Sequence, residues 1–488
     1  ASSVTNTDAD GNATLGYAVT LGGSSEAANG ISEAVQVTSS GAIQTLGHDS
    51  YGIIAQSVSG GGGIAKTVAA NLDDASGSAT SAASKDFAAD ISLGTDAAVK
   101  SGNSGAALVT TTVGGRITTS GDNGIGILAQ SVAGGGGLAL GGKPTGTSAL
   151  DLIGFGGKLG TVNPGLSTNP NDNTGVIVEV GDDITTSGKG AVGVFAQSVG
   201  GGGGIAGDIG WTMATQKMGS YYDYAGNGGD VSVTVDAGAT ITTTGMNSPG
   251  IIAQSVGGGG GWIANKSGAF IGSAGGSGDG YPVVVTVNGA VDAQGAASPG
   301  IFAQSAGGGA NSGFGTGGAA IVTVGSATNT AASVTGGNGF GDAAAAVFIA
   351  EGTSTGGFDS TLTNYGTIAT HDTTDGTAVY SAAASFLGTN YGQITGNLHI
   401  ATGGVTNEGG GTITPYSTVD LGGGVLVNKG TLDLAAGPAE TRLTGSYVGV
   451  AGSTIALSAR TWSRTKPNAS APMLMLVLLC RPRAHGSG

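Results

Sequence analysis

Cysteine is almost absent from this chain: Cys480 is the only one in 488 residues. An intrachain disulfide framework is therefore excluded, and backbone pairing and packing must hold the fold together. Charged residues are also scarce, at 10% of the chain, and the net charge is −15. A nucleic-acid backbone or an anionic membrane surface attracts clusters of Lys and Arg. We therefore expect neither as a partner, and no motif indicates a cofactor.

Long hydrophobic runs and helical periodicity are missing as well. The longest apolar stretch, residues 471–480, is too short for a membrane helix, which needs about 20 residues. No segment has the 3.6-residue apolar period of an amphipathic helix. The sequence therefore predicts an all-β fold and no transmembrane segment.

Glycine, by contrast, is abundant, with 101 residues. It does not recur at every third position, so the chain is not a collagen. Regularly placed Val, Ile and Leu and a mean hydropathy of +0.19 argue against a flexible linker, because disordered chains are poor in such residues.

One motif, GIIAQSV followed by glycines, is written five times. The copies begin at Gly52, Gly126, Gly193, Gly250 and Gly300. Each closes a unit of 24 residues, or two more in one copy, and the units are 35–58, 109–132, 176–199, 231–256 and 283–306. A unit contains three β-like runs separated by Gly and polar turn residues.

Three short strands in this length make one turn of a three-sided β-solenoid, whose coils bury their apolar faces by stacking. Stacking in register would place like residues about 4.8 Å apart. The sequence thus predicts a parallel β-helix with Gly-rich insertions. It also predicts an amide ladder of Gln56, Gln130, Gln197, Gln254 and Gln304.

Gly-rich spacers of decreasing length separate the units, at 59–108, 133–175, 200–230 and 257–282. Two interpretations stay open at this point. The spacers are loops that leave a constant scaffold, where binding functions often lie, or they are further glycine-rich coils.

The repeat decays after residue 306. AAAAVFIAEG, from Ala343, is a degenerate sixth copy of the third run. An Asn-x-Gly pattern then recurs at Asn364, Asn390, Asn407 and Asn428, and it predicts a turn that leads into a strand.

Four regions follow from these patterns. We expect a cap or fragment edge at 1–34, a five-copy β-helix with spacers at 35–306, and degenerate coils at 307–458. Residues 459–488 break the Thr/Gly/Val rhythm and contain the only cysteine, and we expect a frameshifted or disordered tail there.

Sites for chemistry are weakly indicated. GGGGIAKT, residues 60–67, lacks the second Gly of a phosphate loop and no helix follows it. GNGGDV at 226 and GGSGDG at 275 match calcium repeats only in part. β-Helical polysaccharide lyases and hydrolases need clustered carboxylates or a Lys or Arg base. Asp182 and Asp183 form one adjacent pair, and no other copy of the repeat has it.

Aromatic residues are the better candidates for surface binding. They concentrate in two spacers, as Trp211, Tyr221, Tyr222, Tyr224 and Trp262. Exposed aromatics on a polar solenoid suit sugar rings or a protein partner. The alternative is that they cover the edge of a coil.

The GI-x-AQS-[VA]-GGGGG repeats and the later TNYGTI-type coils resemble the passenger region of bacterial autotransporters (type V secretion), over roughly residues 30–455. The resemblance implies a right-handed parallel β-helix at the cell surface of a Gram-negative bacterium, or released from it. It further implies an adhesin-like, virulence-associated role in attachment or cell–cell aggregation. The partner would be a host or matrix glycan, a protein receptor, or another copy.

This resemblance favours a non-catalytic protein, with a carbohydrate-active β-helix enzyme or a self-associating fibre as alternatives. From the residues given we expect neither a signal peptide nor the C-terminal translocator barrel found in the family within this sequence. We expect outer-membrane attachment to need such a barrel.

Overall fold

The computed structural model shows a stack of parallel coils. It describes residues 2–7, 13–21, 32–59, 62–66, 89–93, 104–133, 136–140, 153–155, 174–200, 203–206, 226–265, 268–272, 278–308, 315–339, 341–350, 359–435 and 441–457. The predicted tail at 459–488 lies outside these residues.

The first strand of each coil alternates between buried and part-exposed side chains, because β-branched residues occupy every second position. Val283, Val285 and Val287 point into the core in this way. These strands pair in parallel and form the first row. Its members are Val35–Ser39, Ala107–Thr111, Thr174–Val180, Asp230–Val235, Val283–Val287, Ala320–Val324, Ser360–Asn364, Phe386–Asn390, Gly403–Asn407, the end of Thr418–Asn428 and the end of Arg442–Gly449.

The second row is an 11-stranded parallel sheet of shorter strands. At the corner that follows it, the buried hydroxyls of Thr119, Thr186 and Thr243 donate to backbone carbonyls five residues later and so fix the turn. Its strands are Ile43–Thr45, Ile117–Thr119, Ile184–Thr186, Thr240–Thr243, Ala290–Ala293, Ser333–Gly336, Thr367–Thr370, Gln393–Thr395, Thr412–Thr414, Thr431–Asp433 and Thr454–Ala456.

The third row carries the AQS segments and closes the coil. Its strands are Ile53–Val58, Ile127–Val132, Val194–Val199, Ile251–Val256, Ile301–Ala306, Val347–Ile349, Thr377–Ser381, Asn397–Ile400, the start of Thr418–Asn428 and the start of Arg442–Gly449. Val347–Ile349 pairs with Ile301–Ala306, which places the degenerate sixth copy in the stack. The three rows enclose one continuous aliphatic core.

The glycines after each AQS segment form a fourth row. Gly62–Lys66, Gly136–Leu140, Gly203–Ala206 and Gly260–Asn265 pair in parallel, and Gly268–Gly272 ends the sheet in antiparallel pairing. The start of each of these four spacers is therefore a stacked strand, and we call this sheet the glycine row.

A separate four-stranded sheet joins the N-terminal region to two spacers. Ser2–Thr7 pairs with Ala13–Leu21, which pairs in turn with Ala89–Leu93 and then Ile153–Phe155. A single 3-10 turn, Gly341–Ala344, is the helical element of the described residues. No helix among them is long and apolar enough to span a membrane.

The predicted fold class is confirmed: the chain is all-β, and its coils stack as a parallel β-helix.

Candidate functional site

The five repeated glutamines lie in one row along the stack. Each Nε2 donates to the Oε1 of the next, from Gln56 to Gln130 at 2.6 Å, to Gln197 at 2.8 Å, to Gln254 at 2.6 Å and to Gln304 at 2.8 Å. The three central members are fully buried. A buried amide without partners would cost about 1–3 kcal/mol, and the ladder bonds satisfy amide groups that burial has removed from water.

Burial of the ladder follows from the glycine row. A strand of a solenoid normally buries one face, but the AQS strands after the first copy are buried on both faces, residue after residue. Gln130 Nε2 also donates to Gly137 O, at 3.2 Å, in the row that covers it. The ladder therefore lies between two stacked sheets.

A second apolar layer fills the rest of this space. The third row contributes Leu128, Phe195 and Ile252, and the glycine row contributes Leu138, Ile205 and Trp262. The outward residue of the AQS strand is thus large and apolar because another sheet covers it.

The prediction that Trp262 is a surface-binding aromatic is wrong. Its side chain is fully buried, edge-to-face against Phe195 at 5.8 Å and Phe302 at 6.0 Å between ring centroids. The physical reason is that the glycine strand turns the Trp262 ring toward the third row. The other predicted aromatics, Trp211, Tyr221, Tyr222 and Tyr224, lie outside the described residues.

The glycine row needs glycine at its centre. Gly204 has φ +132°, and a Cβ there would lie 2.0 Å from Gly137 O in the preceding coil. Gly137 and Gly261 have similar φ angles and would meet the carbonyls of the coils before them at 2.2 and 2.1 Å. L residues rarely adopt such angles. The segment whose sequence argued against a phosphate loop, residues 60–67, contains a strand of this row, Gly62–Lys66.

The AQS serines fix the place where each spacer returns. Gly105 N donates to Ser57 Oγ at 3.0 Å, and Ser131 Oγ donates to Gly105 O at 2.9 Å. Gly229 is held in the same way by Ser198 and Ser255, at 2.8 and 2.9 Å.

The pattern continues along the stack. Tyr281 N donates to Ser255 Oγ at 3.0 Å and Ser305 Oγ donates to Tyr281 O at 2.7 Å. Since the strands stack in register, the returning residues lie one above another. We call this edge, defined by Ser57, Ser131, Ser198, Ser255 and Ser305, the serine corner.

Spacer length is therefore independent of coil geometry. A spacer leaves after the glycine row and returns at the serine corner, whatever number of residues lies between. The described residues show that each of the first four spacers begins as a stacked strand. The choice between loops and further coils stays a prediction for the rest of each spacer, most of which lies outside the described residues.

The paired carboxylates of the enzyme alternative hold backbone turns. Asp182 accepts hydrogen bonds from Asp183 N at 2.7 Å and Gly114 N at 2.6 Å, and these bonds lower the pKa of its carboxyl. Asp183 accepts from Thr240 N and faces Arg116 at 3.5 Å. Among the described residues, no three His, Cys, Asp or Glu side chains converge in a way that could hold a metal.

Two histidine–aspartate pairs lie where the AQS copies give way to the later coils. His371 Nε2 lies 2.7 Å from Asp292 Oδ1, and His399 Nδ1 bonds to Asp342 Oδ1. The hydrogen bond to Asp342 raises the pKa of His399 against the effect of burial. Burial opposes ionisation of Asp342, but bonds from His399 and Thr377 outweigh it and lower its pKa.

A second amide ladder was missed by sequence reasoning. Asn364, Asn390, Asn407 and Asn428 are fully buried, and each Nδ2 donates to the next Oδ1 at 2.8 Å. The Asn-x-Gly spacing predicted a turn, and the turn is present. A regular spacing of one coil was the signal that these asparagines stack.

No protein-family model matches the chain, and no curated protein or solved structure matches it either. The resemblance to autotransporter passengers thus rests on the repeat residues themselves.

Proposed function

We propose that this chain is a non-catalytic, adhesin-like passenger of a Gram-negative bacterium, displayed at the cell surface or secreted. It mediates attachment to a host or matrix glycan or protein, or aggregation of cells. The observation that supports this most is the serine corner, where spacers of different length return to the same edge of a constant stack.

A rigid scaffold with variable segments on one edge is suited to binding. Loops tolerate changes in sequence and length, and a solenoid presents them at regular intervals. The net charge of −15 further favours partners that are neutral or basic. The spacer at 207–225 contains four of the predicted aromatics, which favours it as the contact for sugar rings.

Beads coated with the full chain test this proposal on immobilised glycans, matrix proteins and cultured epithelial cells. We expect more binding than for beads coated with serum albumin. Replacing residues 207–225 by a short Gly/Ser linker removes the predicted aromatics but keeps Gly203–Ala206 and the Gly229 anchor. If that spacer makes the contact, binding falls while the melting temperature of the variant stays that of the parent chain.

A matched control replaces residues 141–152 in the preceding spacer, which has no aromatic residue in that stretch. Full-chain beads that attach to none of these surfaces, and do not clump, would contradict the proposal. Equal loss in both variants would move the contact away from the aromatics.

A further inference from the structure

The outer face of the first row is a regular lattice of side chains in which Glu179 and Asp230 carry charge. Two columns of side chains point outward from it, one on each side of the inward valine at the strand centre. In one column, eight of eleven positions are threonine, from Thr38 to Thr406; Glu179 interrupts it, and Val427 and Val448 end it. We call this surface the threonine face.

The second column of the threonine face is uncharged throughout and largely aliphatic. It contains Leu108, Ile177, Val284 and Leu387, at equivalent positions of their strands. Leu387 is 51% exposed and Val448, in the first column, 48%. Leu108, Ile177 and Val284 are half-buried.

Charge on the described part of the stack lies mainly elsewhere. Asp292 and Asp433 project from the second row or its end, and Asp342 and Asp420 lie beside the outer side of the third row. Two copies of an acidic chain repel through such surfaces. The threonine face is where two copies can approach without placing many like charges together.

A second copy fits this lattice better than a molecule with another repeat. The columns repeat at the inter-strand distance of about 4.8 Å, and a second copy of this solenoid has the same repeat along its whole length. Eleven strands extend over about 50 Å, and a strand of five residues is about 16 Å long. The face thus offers about 800 Å², which is the area that each partner contributes to a typical stable interface.

We propose that two copies of this chain associate laterally through their threonine faces. The two sheets pack face to face at about 10 Å, with threonine methyls and aliphatic side chains interdigitated and the hydroxyls paired across the interface. The inference deepens the aggregation part of the proposed function and rests on it for its biological use.

Sedimentation velocity over a concentration series of the full chain provides the test. We expect a monomer–dimer equilibrium that tightens with added salt, because salt screens the repulsion between acidic chains. An interface built on ion pairs would weaken instead. A chain that remains monomeric throughout the series overturns the proposal.

Charge placed on the face should break the dimer. The double variant Thr286→Glu and Thr363→Glu changes two positions two coils apart, and Glu179 shows that this column accepts glutamate. Buried like charges across the interface should weaken association by more than about tenfold.

The matched control is Ser333→Glu with Thr412→Glu. Both residues point outward from the second row, and the change in net charge is the same. We expect the association constant to stay within about twofold of that of the parent chain. Equal weakening of association in both variants would assign the effect to net charge. It would contradict the proposal that the threonine face is the interface.

Hydroxyl-radical footprinting of the unmodified chain removes any dependence on the folding of variants. Labelling of Leu387 should fall as concentration rises, while labelling of Leu46, 71% exposed near the second row, should not change. Dimers that leave Leu387 labelled would overturn the proposal. If the chain is monomeric but its beads still attach to glycans, the lateral association proposed here is wrong and the attachment function stands. If the chain dimerises but binds no surface, the attachment function is wrong and the lateral association stands.

Discussion

The two halves of the stack solve the same problem with different amides. In the first half, the glutamine ladder lies outside the aliphatic core, between the third row and the glycine row. In the second half, the asparagine ladder lies at the corner between the first and second rows, where Asn390 Nδ2 also donates to Gly392 O and Thr412 O at 3.1 Å. The shorter side chain, asparagine, bonds to the backbone of its own turn, and the longer one, glutamine, reaches from one sheet to the next.

The distance along the chain between ladder members shows what each arrangement permits. Successive glutamines are 74, 67, 57 and 50 residues apart, whereas the asparagines are 26, 17 and 21 apart. The first half has a serine corner that lets long spacers return to a fixed point. We infer that large insertions are tolerated in the half that has both the serine corner and the glycine row.

The largest effect should come from the glycine row, which only the first half has. Gly204→Ala would place a Cβ 2.0 Å from Gly137 O at φ +132°. We expect a loss of about 3 kcal/mol or more in the free energy of unfolding, because the strand that contains Gly204 must separate from the preceding strand of the glycine row. Urea denaturation, followed by tryptophan fluorescence to which the buried Trp262 contributes, measures it.

Gly238→Ala is the matched control. Gly238 also has a positive φ, +89°, but a Cβ there would meet nothing within 4 Å. Only backbone strain of about 1 kcal/mol should remain. Equal losses for the two variants would mean that φ, and not the contact between coils, determines the requirement for glycine.

The two ladders can be compared directly by apolar replacements of similar shape. Asn390→Leu removes two side-chain bonds and leaves the carbonyls of Gly392 and Thr412 without this donor. Gln197→Met breaks the ladder bonds to Gln130 and Gln254 and one longer bond, of 3.4 Å, to Gly204 O. We expect losses of about 3 and about 2 kcal/mol, measured by the same denaturation.

A larger loss for Gln197→Met than for Asn390→Leu would reverse this order. It would indicate that the ladder between two sheets is the more costly one to interrupt.

The sequence predicted the three core rows because their signals are local. Alternating Val231, Val233 and Val235 indicate a strand with one buried face, and they form one. The predicted glutamine row also follows from spacing alone, since like residues must stack when coils repeat.

The glycine row could not be predicted from the same signals. A run of glycines resembles a linker, and its strand depends on φ angles near +130° that only the neighbouring coils stabilise. The position of Trp262 was misjudged for this reason. The buried asparagines were assigned to turns because turn chemistry and ladder chemistry use the same residue.

The junction between the halves should depend on pH. His399 and Asp342 attract each other only when both are charged. The folded pKa of His399 lies above its ordinary value of about 6.5, so this contribution is fully present below pH 6.5 and is lost as the pH rises through the raised pKa. Asp342 has a lowered pKa, so the contribution is also lost as the pH falls through that value.

Comparing the parent chain with His399→Gln measures this contribution. Asp342, Asp375 and Asp420 all favour the charged imidazole. We expect a difference of about 1 kcal/mol in the free energy of unfolding near pH 5.5, and we expect it to disappear as the pH rises through the raised pKa of His399. A difference that does not change over this range would assign His399 a packing role only.

The smallest effects should come from the residues that follow the ladder asparagines. Tyr365 and Tyr391 stack at 4.7 Å on the surface, and Lys429 Nζ lies 2.8 Å from Glu408 Oε1 in later coils. Tyr391→Ala should cost about 1 kcal/mol and Lys429→Ala less than about 0.5 kcal/mol, since solvent screens an exposed ion pair. Tyr391 is the direct neighbour of Asn390. The denaturation midpoints of the Tyr391→Ala and Asn390→Leu variants therefore compare a surface column of side chains with a buried one. A loss for Tyr391→Ala that equals that of Asn390→Leu would mean that the outer stack, and not the inner ladder, sets the register of these coils.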